Sequence, residues 1–180
     1  SNNMRIVTKS VQLSGPGDLT GQIIFDTTGG QNVGCGISFA LTNATGTQES
    51  TPSSGRVLSN AREWYFVAAT FNNSNMTTYV NGDIQTSNYT NSLSIPASAS
   101  FNWSVGEVEK YSNQGFDPIT SFNGTIDELR IYNRSLSHQQ IIALWKNRTD
   151  LMVAEELRPG QNWSAIVTLN NGTGDGQSVL

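Results

Sequence analysis

The sequence predicts an all-β fold, a sandwich of two antiparallel sheets with one short helix, and three observations carry that reading. Short runs rich in β-branched and aromatic residues recur along most of the 180 residues. Clusters of Gly, Asn, Ser and Pro stand between them, and a single late segment carries helical spacing. Many closely spaced strands with almost no helix mean a sandwich or a barrel.

Taken in order, the candidate strands are 4–13, 22–26, 35–42, 56–58, 63–72, 76–80, 83–86, 100–106 and 124–132. Ser14-Gly15-Pro16-Gly17, Thr28-Gly29-Gly30 and Pro52-Ser53-Ser54-Gly55 supply turn chemistry between them. Asn81-Gly82-Asp83 lies between two β-rich runs and is the clearest hairpin signal. The run from Glu63 to Phe71 is apolar on both alternating faces, which suits a strand covered on each side.

The helix is expected over 137–146. Ser137 followed by Gln140 makes a capping box, and Ile141, Ile142, Leu144 and Trp145 follow at helical spacing. Lys146 and Arg148 suit the negative end of the helix dipole. After Asn147 the texture changes: a turn-rich connector over 155–160, a strand over 163–169, and a Gly- and Asn-rich loop over 170–176. The chain therefore reads as a sandwich over 1–148 and an extension over 149–180.

Composition narrows the function. Only 13% of residues are charged and the formal net charge is -4, against about 25% charged in an average soluble domain. Lys and Arg are scattered without a basic stripe, which excludes a nucleic-acid partner. No apolar run has the length of a membrane span. Cys35, the sole cysteine, excludes an intrachain disulfide and reads as an inert buried thiol. The chain starts without Met and reads as part of something longer.

The pattern Asn-x-Ser/Thr occurs ten times: Asn43, Asn72, Asn75, Asn88, Asn102, Asn123, Asn133, Asn147, Asn162 and Asn171. Random placement of the asparagines among this Ser and Thr content gives about four. Asn72, Asn75, Asn88, Asn123 and Asn133 also fall at expected turns or strand ends, where a bulky sugar fits. The excess points to covalent N-glycans and an extracellular, cell-surface chain.

Two segments carry a family resemblance. Arg62-Glu63-Trp64-Tyr65-Phe66-Val67-Ala68-Ala69-Thr70-Phe71, followed by Thr78-Tyr79-Val80-Asn81-Gly82, resembles a hairpin of laminin-G-like domains of the concanavalin/pentraxin type. Phe122-Asn123-Gly124-Thr125-Ile126-Asp127-Glu128-Leu129-Arg130-Ile131-Tyr132-Asn133-Arg134-Ser135-Leu136-Ser137 resembles the end of the same domains. The resemblance implies a concanavalin-like jelly roll and gives Trp64 and Trp145 the places of core residues. The family's opening strand, with its F-D-G-x-x-D-Y pattern, has no counterpart here, so an open sheet edge is expected, with 163–169 a candidate to fill it. The tail over 160–176 is similar to the close of an Ig-like surface repeat.

Asp127 is the most interesting polar residue. By strand alternation it shares a face with Leu129 and Ile131, so its carboxylate is expected toward the packed side or the rim. A structural calcium ion, common in the fold the resemblance implies, is one solution. Backbone N–H donors nearby are the other. Glu107 and Glu109 share a strand face, as paired carboxylates do in glycosidases, but lie beside a loop and lack the tighter spacing of such enzymes. His138, the sole histidine, is expected as a solvated residue of the first helical turn. Trp103 and Trp163 are read as structural. Tyr89, Tyr111 and Phe116 lie in a loop-rich stretch and are the candidate ligand surface.

Together these features predict a non-catalytic extracellular module that binds a glycan or protein at the cell surface, in adhesion. The alternative is a structural spacer or filament-forming subunit that self-associates by strand exchange at an open edge. A glycoside hydrolase is the third reading.

Overall fold

Two hairpin-connected sheets stacked around a small apolar core account for the N-terminal part of the chain. The computed structural model describes residues 4–12, 19–28, 35–42, 47–60, 62–89, 103–106, 121–148, 153–162, 164, 167–170 and 172–179. Contacts divide the chain into two units, Ser1–Arg148 and Thr149–Leu180.

In the first unit β1 (Met4–Gln12), β2 (Leu19–Thr28), β3 (Gly36–Thr42), β4 (Gln48–Ser50) and β8 (Trp103–Val105) form an antiparallel sheet in the order β4-β3-β2-β1-β8. The second sheet holds β5 (Val67–Phe71), β6 (Asn75–Val80) and β7 (Asp83–Tyr89) in sequence order. The two-sheet sandwich expected from strand counting is thus present. The strands at 4–13, 22–26, 35–42, 76–80 and 83–86 appear with shifted ends, and the described part of 100–106 holds β8.

Side-chain alternation explains the stacking. Phe39, Leu41 and Met76 form the buried centre, with Ile23, Phe25, Ala69 and Phe71 packed round it. These residues come from β2 and β3 on one sheet and from β5 and β6 on the other. The opposite face of the three-stranded sheet is covered by the helix: Tyr79, Leu136 and Ile141 cluster with Phe66, Ala68 and Leu144. The run from Glu63 to Phe71 is apolar on both faces because β5 has the other sheet on one side and the helix on the other.

The helix, α1 (His138–Trp145), is held at its start by the expected capping box. Ser137 Oγ accepts the Gln140 N–H at 3.3 Å, and Gln140 Oε1 accepts the Ser137 N–H at 2.9 Å. Arg134 Nη1 also donates to Gln140 Oε1, at 2.9 Å. Such a cap is worth about 1 kcal/mol and fixes where the apolar face of the helix meets Tyr79.

The β6–β7 hairpin turns at Asn81 and Gly82, with φ of 50° and 82°. Positive φ at both central residues matches the tight turn that Asn-Gly favours. Gly82 is required twice over, because a β-carbon there would stand 2.6 Å from Trp145 Cε3. The indole of Trp145 lies where that carbon would be.

Four expectations need correction. The segment 124–132 is irregular and largely exposed, not a strand, because among the described residues no backbone partner meets it. Residues 56–58 make only an isolated bridge, Cys35 to Leu58. The strand beside β3 is β4, whose Gln48-Glu49-Ser50 has little β propensity and is placed by pairing with Ala40–Thr42. In the second unit β9 (Val167–Asn170) pairs with β10 (Asp175–Val179), so part of the expected loop is strand. A 3₁₀ turn at Ala154–Glu156 precedes them.

Candidate functional site

The polar face of the five-stranded sheet holds one buried ion pair. Arg5, Asp26 and Ser38 stand side by side across β1, β2 and β3. Arg5 Nη1 donates to Asp26 Oδ2 at 2.5 Å, and the Ser38 hydroxyl donates to the other oxygen of the same carboxylate. Arg5 Nε is buried without a hydrogen-bond partner. With its carboxylate committed to two neighbours, Asp26 serves to hold three strands in register.

The surface that can meet a ligand is elsewhere, and it is apolar. The sheets are unequal, three strands facing five. β7 is closed at its outer side by side chains reaching the end of β4: Thr86 Oγ1 donates to the Pro52 carbonyl at 3.1 Å and Asn88 Nδ2 to the Ser50 carbonyl at 2.8 Å. β5 and β6 cover β2 and β3, so among the described residues no strand lies over β8. Val105 stands opposite Val7 and Trp103 opposite Lys9, which puts their side chains on the core-facing side of the sheet. Both remain exposed, and Lys9 Nζ sits 5.2 Å from the Trp103 ring.

A second exposed group lies at the turn end of the three-stranded sheet. Trp64 is 68% exposed. It precedes β5, where Asn81 Oδ1 accepts the Phe66 N–H at 3.0 Å and the Tyr65 hydroxyl accepts the Asn60 N–H at 2.9 Å. Those bonds pin the residues on either side and leave the indole outside. Trp145, also exposed, lies against the neighbouring Gly82, and His138 Nε2 bonds to the Gly82 carbonyl at 2.9 Å. The core places that the resemblance gave to Trp64 and Trp145 are therefore corrected. Strand pairing begins only at Val67, and Trp145 is the last helical residue, at the rim of the docked face.

Asp127 is exposed instead of facing the packed side. Its Oδ1 accepts the Glu128 N–H at 2.8 Å, the backbone-donor alternative. Glu128, at φ 53°, pairs with Arg130. Among all described residues no three His, Cys, Asp or Glu side chains come together as a metal site.

Of the other candidates, Tyr111, Phe116, Glu107 and Glu109 lie outside the described residues, as do Asn43, Asn102, Asn171 and Trp163. Tyr89 ends β7 opposite Asn75. Asn72, Asn123, Asn133, Asn147 and Asn162 are exposed, and Asn75 and Asn88 are half-buried. Asn72 Oδ1 closes the β5–β6 turn by accepting the Asn75 N–H at 2.8 Å. The exposed Trp64 was missed as a surface residue because an apolar run around a tryptophan reads as core.

A family model described as the concanavalin A-like lectin/glucanases superfamily, of the laminin G type, matches residues 4–142. The chain belongs to that superfamily. The concanavalin A-like match takes in both sheets and most of α1. A crystal structure of an S-layer domain-containing protein from Clostridium thermocellum is similar at 25% sequence identity with a TM-score of 0.40. That similarity covers 80% of this chain and 63% of the other. No curated protein matches the chain at a significant level. No helix among the described residues is long and apolar enough to cross a membrane.

Proposed function

We propose that this chain is a non-catalytic module of an exported, N-glycosylated protein, and that it binds a glycan or protein ligand at the cell surface. The observation that carries the reading is the 68% exposed ring of Trp64, held in place by bonded neighbours at one end of a concanavalin A-like sandwich. An indole face offers a flat apolar platform to the C–H face of a pyranose and a polar N–H at its edge. The superfamily's own description joins lectins with glucanases, which favours a carbohydrate.

Binding without hydrolysis draws support from three of the described carboxylates. Asp26 holds Arg5 and Ser38, Glu128 holds Arg130, and Glu63 accepts the Tyr65 hydroxyl at 3.3 Å. A glycosidase needs two carboxyl groups facing each other across a substrate, and these three are spent on structural partners. Export is supported by the excess of sequons and by the exposure of five of their asparagines.

A glycan array tests the proposal. Saturable retention of a defined sugar is expected, with Trp64→Ala losing about fivefold or more in affinity, since stacking on one aromatic ring is worth about 1 kcal/mol or more. Binding that is unchanged in Trp64→Ala would move the ligand surface away from this ring.

A further inference from the structure

Among the described residues β5 is an edge strand of the three-stranded sheet. Phe66 accepts the Asn81 N–H and Asn72 donates to Asn75, so the even-numbered residues of β5 face β6. By alternation Val67, Ala69 and Phe71 turn their amides and carbonyls outward, where no described residue meets them. Edge strands are usually blunted by Lys, Pro, a bulge or a cover. Val67-Ala68-Ala69-Thr70-Phe71 has no charge and no proline, and it pairs with β6 without a register shift. Beside this edge, Trp103 and Val105 on β8 form an exposed apolar floor, and among the described residues no strand lies above it.

The same chain carries a segment that fits. Over 125–132 the apolar residues Leu129, Ile131 and Tyr132 are exposed, Ile131 at 56%. Their backbone makes no described backbone hydrogen bond. Within its own chain the segment is bowed by a left-handed residue, Glu128 at φ 53°, with Asp127 bonded to its N–H and Arg130 to its carboxylate. Straightening removes a conformation that non-glycine residues avoid. Once extended, Asp127, Leu129 and Ile131 share one face. With that face on the floor, Leu129 and Ile131 meet Trp103 and Val105, and Asp127 approaches Lys9, the cation beside Trp103.

We infer that the β5 edge is a strand-acceptor site, and that its occupant is the 125–132 segment of a second copy of this chain. Each copy gives one segment and receives the other, so the contact closes on a two-fold axis as a dimer. The complementarity lies within one sequence: an uncharged apolar edge, an apolar floor with Lys9 at its rim, and a segment whose floor-facing side carries Leu129, Ile131 and the carboxylate of Asp127.

Sedimentation of the full 180-residue chain over a range of concentrations tests the inference. A reversible dimer is expected, formed at concentrations of about 100 µM or below. Ile131→Glu and Val105→Asp, both at exposed positions, are expected to weaken it tenfold or more. Ala69→Pro removes an outward N–H and blocks the edge, and is expected to abolish dimerisation. Ile84→Glu, on the opposite edge strand and also exposed, is expected to leave it unchanged. A strictly monomeric wild type overturns the inference, as does a dimer indifferent to Ile131→Glu and Val105→Asp. A monomer that instead captures a synthetic 125–132 peptide at β5 overturns the second copy as occupant.

Discussion

Met76→Ala is expected to destabilise the sandwich by about 3 kcal/mol, within the range of 2–5 for emptying a fully buried large side chain. Met76 is 0% exposed and sits on the central strand of the smaller sheet, between Phe39 and Leu41 below and Ala69 and Phe71 beside it. Removing its thioether arm opens a cavity where the sheets touch. Both walls are hydrogen-bonded sheets and cannot collapse into the space, so the cavity term adds to the lost transfer energy. A urea titration followed by aromatic fluorescence should show a lower midpoint with an unchanged slope. A loss below 1 kcal/mol would mean that the sheets do not pack through Met76.

The buried ion pair predicts a comparable loss by a different route. Asp26→Ala leaves the Arg5 guanidinium and the Ser38 hydroxyl without the carboxylate that satisfies both. Breaking a buried pair from one side costs about 3–5 kcal/mol. The lower end applies, because the Arg5 side chain is still 22% exposed and water can reach part of it. Replacing both partners by apolar residues, Arg5→Met with Asp26→Leu, is expected to recover most of the loss, since the desolvation of both charges then disappears. Equal destabilisation in the single and double variants would show that the carboxylate holds the register through contacts other than Arg5.

Much of the architecture was legible in the residues, and the failures have physical causes. β1, β2, β3, β6 and β7 announce themselves through β-branched runs and turn residues, and the Asn81-Gly82 hairpin and the Ser137 cap through local hydrogen bonding that needs no distant partner. β4 is invisible because three polar residues become a strand only when β3 offers them a ladder. The segment 124–132 fails in the opposite sense. Its alternation is real, but a strand also needs an edge to pair with, and pattern alone does not supply one. β10 was hidden by Gly174, Asp175 and Gly176, which read as loop although pairing with β9 makes the last two the start of a strand.

The candidate site was less legible. Tryptophans in apolar runs are most simply read as core, and Trp64 and Trp145 lie outside it because their neighbours are pinned first. Asp127 follows the same logic: its burial was inferred from strand alternation, and without the strand it becomes the acceptor of a local turn. The exported, glycosylated reading drew first on the number of sequons, which does not depend on strand assignment.

The central claim, a sugar-binding sandwich that does not cleave what it binds, is tested most directly by following both events in one incubation. The chain is mixed with polysaccharides of defined composition, and retention on the polymer is measured alongside release of new reducing ends. Saturable retention that depends on Trp64, with no reducing ends above the protein-free control, is the predicted result. Steady release of reducing ends that is lost in Glu107→Gln or Glu109→Gln would contradict it.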